Sequence, residues 1–258
     1  MQPFVLPLKP VLIFIIVLFR VGGLVTFAPF WGHQTVSKQI RVVLALVLAL
    51  ALTPPLVNLL PMPPSSPLAL APLLLIELLI GFAFGFVGRL VFSGLEMAAQ
   101  VIGFQMGFSL AGTIDPSTRA QTTALGIAAQ MLGLVIFMRA DGHHWLLLAT
   151  VRSFQFVGPG SAHISASLAQ LFIRLSAEAL AIGVALAAPA IVMLLGLECA
   201  LAIAGRAIPQ IQVMILGFPI KIAAGLWLIG ASLYFMPSAI RATLGPMQRA
   251  LTITIRAL

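Results

Sequence analysis

Residues 103–116 read GFQMGFSLAGTIDP, and the polar run Ser117-Thr118-Arg119 follows at once. Gly103, Gly107 and Gly112 alternate with Gln105, Ser109, Thr113 and Asp115, and Phe104, Met106, Phe108, Leu110 and Ile114 are interleaved before Pro116 closes the stretch. Everything around it is apolar enough to be embedded in a membrane. This composition suits neither lipid nor an ordinary soluble loop. Backbone that leaves the helix at membrane depth is tolerated only where protein or a water-filled cavity surrounds it. The stretch is therefore predicted to be an embedded, non-lipid element, either a gate or constriction or a substrate site.

Its surroundings fix the class. The chain has 258 residues, of which 61% are hydrophobic and 8% charged, with a mean hydropathy of +1.14. Ordinary globular domains are about 25% charged, so an all-α, polytopic integral membrane protein is predicted. Fourteen Lys and Arg against 6 Asp and Glu give a net charge of +8. That excess reflects scarce acids, and fits a cytoplasmic-loop bias or contact with anionic lipid. Nucleic acid is excluded as a partner, because no basic cluster interleaves with aromatics. Cys199 is the single cysteine, which rules out an internal disulfide or a cysteine metal cluster. The first apolar run is longer than a signal-peptide core and carries Arg20 at its centre, so it reads as a retained helix.

Taken in order, the apolar runs are Val11–Trp31, Val42–Leu60, Leu68–Phe92, Ala120–Met138, Leu168–Leu201 and Val213–Phe235. Pro54-Pro55 is expected to break the second, and the charge-free loop 61–67 (PMPPSSP) follows it. In the third, Gly81 and Gly85 form a GxxxG pair with Gly88 just beyond, a spacing that lets another helix approach closely. Trp145–Phe156 is too short to cross and contains Arg152, so it is expected to lie at an interface or against neighbouring helices. Gly158-Pro159-Gly160 is the sharpest boundary in the chain. With Lys38 and Arg41 placed inside and the proline loop outside, the N-terminus falls outside. Counting on, the basic tail with Arg241, Arg249 and Arg256 then falls on the wrong side. An extra or re-entrant passage through Met97–Ile114 repairs the tally, unless the protein does not follow bilayer topology at all.

Charges within membrane helices usually face a bundle interior. Arg174 and Glu178, four apart, share a helix face, and Arg89 and Glu96 lie on one side two turns from each other. Arg20, Glu77, Glu198 and Lys221 have no local partner and must find one elsewhere in the fold or in another subunit. These carboxylates are dispersed, which favours pairing over a proton relay. His143-His144 beside Asp141 reads as a turn capped by Asp141-Gly142. A metal site is not expected, since adjacent histidines diverge on a helix and no further ligand follows at i+3 or i+4. No GxSxG elbow or GK[ST] phosphate loop occurs, so no catalytic residue, hydrolase or ATP-driven pump is assigned.

Four segments together resemble the FliR family, the flagellar biosynthetic export-gate subunit of type III secretion whose injectisome counterparts are the SctT proteins. They are Arg20-Val-Gly-Gly with Ala28-Pro29-Phe30 and Arg41; the block Gly103–Pro116; Phe137–Phe154 with Asp141-Gly142-His143 and Ser153-Phe154; and Pro209-Gln210 with Gly217-Phe218-Pro219 and Lys221. The last is the most specific, with Gln212 where asparagine is usual, and the likeness covers essentially the whole length. MGFSLAGTIDP and DGH look more flagellar than injectisome-like.

The resemblance implies a FliP-like part over 1–160, containing the loop 103–116, and a FliQ-like helical hairpin with a basic tail over 161–258. It implies one subunit of a conical channel built with FliP and FliQ, served by FlhB and FlhA, in the bacterial inner membrane at the flagellar basal body. Unfolded flagellar proteins would pass through it, and Gly103–Ile114 would project into the lumen as a plug. Helices buried in such a cone need not obey bilayer charge rules. No cofactor or enzymatic activity is implied. On this reading Phe104, Met106, Phe108 and Leu110 make a dry, nonspecific seal, the glycines supply backbone freedom, and Asp115-Pro116 ends the moving part. Two other classes are weighed. A secondary transporter with a broken-helix site would carry inverted repeats, but the second half has no copy of the block. A lipid-modifying membrane enzyme lacks a catalytic constellation.

Overall fold

The computed structural model describes residues 8–32, 36–64, 66–107, 124–162, 166–207 and 213–257. All regular structure among them is helical: α1 (Leu8–Phe27), α2 (Lys38–Val57), α3 (Pro67–Gln105), α4 (Ala124–Arg139), α5 (Gly142–Phe156), α6 (Ala166–Ala207) and α7 (Val213–Ala257). Within the described residues, α1, α2, α3 and the Leu168–Arg206 part of α6 are long and apolar enough to cross a membrane. The polytopic, all-α class expected from composition is the class observed.

Prolines interrupt less than their reputation as helix breakers predicts. α2 runs through Pro54 and Pro55 to Val57, and α6 continues for 42 residues through Pro189. In apolar surroundings the alternative to a helix is unsatisfied backbone, and neighbouring groups and local adjustments absorb the bonds a proline removes. α3 also outruns the run Leu68–Phe92, because Ser93–Gln105 contains Glu96, Met97, Ala98, Ala99 and Gln100, residues that mostly favour helix. Gly103, Phe104 and Gln105 are thus the last helical residues of α3, and the departure from helix starts later than the sequence reading placed it.

The chain forms two compact units, discontinuous in sequence. The first comprises residues 1–90, 141–175 and 244–258, and the second 91–140 and 176–243. In the first, α1 supplies Ile13, Ile16, Val17, Val21 and Val25 to an apolar core shared with Ala45, Ala49 and Leu56 of α2, and with Leu73 and Phe154. α1 and α3 touch through backbone. A Cβ at Gly81 would overlap the Arg20 carbonyl, and one at Gly85 would lie 2.8 Å from Phe27 Cβ and 2.9 Å from the Leu24 carbonyl. The close approach predicted from the GxxxG spacing is present, with α1 as the partner. In the second unit α3 meets α6 the same way, with Gly94 and Gly183 face to face, and α4 packs Phe137 edge-on against Phe92 at 5.1 Å.

Candidate functional site

The described part of the 103–116 stretch is the end of α3 and its exit. Met106 N–H still donates to the Ile102 carbonyl at 3.0 Å, and Gly107 N–H reaches the Phe104 carbonyl, also at 3.0 Å. Gly107 then takes φ +89°, a conformation glycine adopts without steric cost, and the helix stops there. Phe104 is 69% exposed whereas Met106 is fully buried. The Met106 thioether sits on Gly225 of α7, where a Cβ would overlap its sulfur, and the Phe218 ring covers Gly107. The first glycine-rich block therefore meets the GFP segment of α7 directly.

The first unit holds a closed polar node. Arg20 of α1 donates from Nε to Glu77 of α3 at 2.5 Å, from Nη1 to Ser153 of α5 at 2.8 Å, and from Nη2 to the Val157 carbonyl at 3.5 Å. Its guanidinium lies 3.7 Å over the Phe154 ring. The second carboxylate oxygen of Glu77 accepts the Gly160 N–H at 3.2 Å. Both charged side chains are 0% exposed. A buried pair is tolerable when further hydrogen bonds satisfy its remaining donors and lone pairs, and here each guanidinium nitrogen and each carboxylate oxygen is used. The node ties α1, α3, α5 and the turn at Gly158–Gly160 together.

The remaining charges are placed differently. In the second unit Lys221 Nζ meets Glu198 at 2.9 Å, with side chains 18% and 52% exposed. Glu96 accepts a hydrogen bond from Gln130 at 2.5 Å. Arg89, Arg174 and Glu178 are exposed. Asp141 stands at the N-cap of α5 with φ 55°, but its carboxylate makes no cap; it meets His144 Nδ1 at 3.1 Å instead. The two histidines do not diverge: their ring centroids are 4.1 Å apart, and one ligand atom from each of Asp141, His143 and His144 lies within 4.8 Å of the others. Burial holds the His143 imidazole below its ordinary range, His144 adds to this, and Asp141 opposes it.

Comparison with known proteins decides the family. A family described as bacterial export proteins, family 1, matches residues 11–247. The flagellar biosynthetic protein FliR of Escherichia coli strain K12 is 31% identical over 215 residues, 83% of this chain and 81% of the relative. The chain belongs to the FliR family of bacterial export proteins. FliR of Caulobacter vibrioides is 34% identical over 214 residues, 83% of this chain and 85% of the relative. FliR of Bacillus subtilis is 30% identical over 215 residues, covering 81% and 82%.

Set against the FliR resemblance, the structure brings Met106 and Gly107 onto Phe218, and Arg20 onto Glu77 and Ser153. Phe108, Ser109, Leu110, Gly112, Ile114, Asp115 and Pro116, with Pro209 and Gln210, lie outside the described residues. Gly217 and Pro219 open α7 beside Phe218. Sequence reasoning gave Gly160, Val157 and Gln130 no role as partners of charge. Arg20 and Glu77 are 57 positions apart, so neither carries a local signal of the other. Gly225 was missed too, although Gly217, Phe218 and Gly225 are spaced to line one side of a helix.

Proposed function

We propose that this chain is a non-enzymatic subunit of the flagellar type III protein export gate. In this reading it forms part of the inner-membrane channel, at the flagellar basal body, through which unfolded flagellar proteins pass. Residues 1–160 act as a FliP-like part and 161–258 as a FliQ-like hairpin. FliP and FliQ complete the channel, FlhB wraps its cytoplasmic entrance, FlhA couples export to the proton-motive force, and lipid surrounds the assembly. Gly103–Pro116 is the lumenal plug. The observation that carries this is the family match over residues 11–247, which includes both motif blocks. Supporting it, the helical end of the 103–116 stretch is held by α7 and terminates at a glycine with positive φ. Exposed Arg89 on the long apolar α3 further favours a protein-covered surface over a lipid-covered one.

Purification of the tagged chain in mild detergent tests the assembly. From cells that express the whole export apparatus, small multi-pass partners are expected to co-purify, and recovery of the chain from those cells without them would overturn the assembly reading. The plug is tested separately by deleting Gly107–Gly112, which is expected to raise ion leak through the assembled complex. Unchanged conductance removes the plug while leaving the family intact.

A further inference from the structure

The geometry points to a divalent transition-metal site at the start of α5, built from Asp141, His143 and His144, with two imidazoles and one carboxylate as its protein ligands. The sequence reading set a metal aside on the ground that adjacent histidines diverge, and at this turn they converge. The site is separate from the export reading and does not depend on it.

Two independent observations carry it. The first is the meeting of the ligand atoms. Asp141 Oδ1 and His144 Nδ1 are 3.1 Å apart. Two ligands each about 2.1 Å from one ion stand about 3.0–3.4 Å apart, for bond angles from octahedral to tetrahedral. One edge of a coordination shell is therefore already in place. A ring nitrogen of His143 lies within 4.8 Å of a ligand atom of each of the other two, so about 1.5 Å of closure completes the face. The Asp141 and His144 side chains, 67% and 70% exposed, have the room to supply it. The second observation is the state of His143 itself. Its Nδ1 is shielded from water and has no hydrogen-bond partner among the described residues. A buried polar atom left without a partner costs free energy, and a cation satisfies a nitrogen lone pair where no N–H or O–H is at hand.

The donor set selects the ion. Imidazole suits zinc, copper and nickel, whereas magnesium and calcium take oxygen ligands. Three protein ligands leave a position for water or a further donor, as open zinc sites do. The helix works against a cation here, because the positive end of its macrodipole faces the site and an anion is the usual guest of a helix N-terminus. Asp141 decides between the two, since its carboxylate offsets the dipole for a cation and repels an anion. The consequence is structural. A bound ion clips the residue before α5 to the first turn of that helix, whose Ser153 and Phe154 reach Arg20.

Zinc chloride titrated into the full chain tests the site by isothermal titration calorimetry. The chain is solubilised in mild detergent, purified through a tag without histidine and stripped with a chelator. One zinc per chain is expected to bind, with magnesium silent under the same conditions, and zinc is expected to raise the midpoint of thermal unfolding. His143→Ala, His144→Ala and Asp141→Asn are each expected to weaken zinc binding by about tenfold or more, since even an outer-shell partner of a metal ligand is worth about 10–100-fold in affinity. The other two histidines of the chain, His33 and His163, supply the control, and His33→Gln and His163→Gln are expected to leave binding unchanged. Circular dichroism of each metal-free variant is expected to match the wild type, which separates a lost site from a lost fold. A wild-type chain that binds no zinc overturns the site whatever the variants do. Binding that all three variants retain, that magnesium matches, or that the control substitutions abolish overturns it as well.

Discussion

Arg20–Glu77 and Lys221–Glu198 both join helices, and they are built for opposite surroundings. Arg20–Glu77 is dry, and Ser153, the Val157 carbonyl, the Gly160 N–H and the Phe154 ring surround it with further contacts from the same chain. Lys221–Glu198 is half open, with the Glu198 side chain 52% exposed and the Lys221 ammonium 2.9 Å away. The difference separates two jobs for charge in an apolar protein. The first pair is enclosed within one chain and fixes its packing. The second leaves a carboxylate on the outside, where a neighbouring subunit or water, and not lipid, can complete it.

The largest expected effect follows from the closed node. Glu77→Gln keeps the shape of the side chain but strands a buried guanidinium, and breaking one half of such a pair costs about 3–5 kcal/mol. Thermal unfolding of the detergent-solubilised chain, followed by circular dichroism, is expected to shift strongly downward. The double variant Arg20→Met/Glu77→Leu is expected to recover most of that loss, because apolar replacement of both partners removes the desolvation cost along with the attraction. A Glu77→Gln variant as stable as Glu198→Gln would erase the contrast between the pairs.

The second effect tests the backbone contact that brings Arg20 to Glu77. A Cβ at Gly81 meets the Arg20 carbonyl itself, which cannot move aside as a side chain can. Gly81→Ala is expected to cost about 1–3 kcal/mol, as overpacking generally does. Gly22 is the internal control, because nothing stands within 4 Å of a Cβ there. Gly22→Ala is expected to be neutral or stabilising by up to about 1 kcal/mol through helix propensity alone. Equal losses at the two glycines would show that the α1–α3 approach is not what fixes the node.

These contrasts also mark what the sequence made legible. The apolar runs and the Gly81/Gly85 spacing named the class, the helices and one close contact, because helical period and small-residue spacing are local patterns. Family likeness reached Ser153-Phe154 and Gly217-Phe218-Pro219, but gave no reason why Ser153 faces Arg20 or Phe218 faces Gly107. Pairing across 57 and 23 positions is a property of how helices pack, and no local rule encodes it. The histidines show the opposite failure. A rule for mid-helix side chains was applied to His143 and His144, yet they occupy the first turn after an Asp141 with φ 55° that makes no cap, and there the rings converge. The break expected at Pro54-Pro55 comes from a rule drawn from water, where a freed carbonyl has solvent to turn to.

The smallest expected effect sharpens the comparison most. Exposed pairs contribute about 0–1 kcal/mol, so Glu198→Gln in the isolated chain is expected to move the unfolding midpoint little, and less still at high salt, where screening weakens the wild-type pair. The same substitution in the assembled gate is a different measurement. If a neighbouring subunit covers Glu198, the carboxylate becomes buried there and its loss strands Lys221, so assembly yield from co-purification is expected to fall while the isolated chain stays as stable as before. A loss of equal size in both settings would mean that the pair is already complete within the chain, and the outward-facing carboxylate would have no further partner to meet.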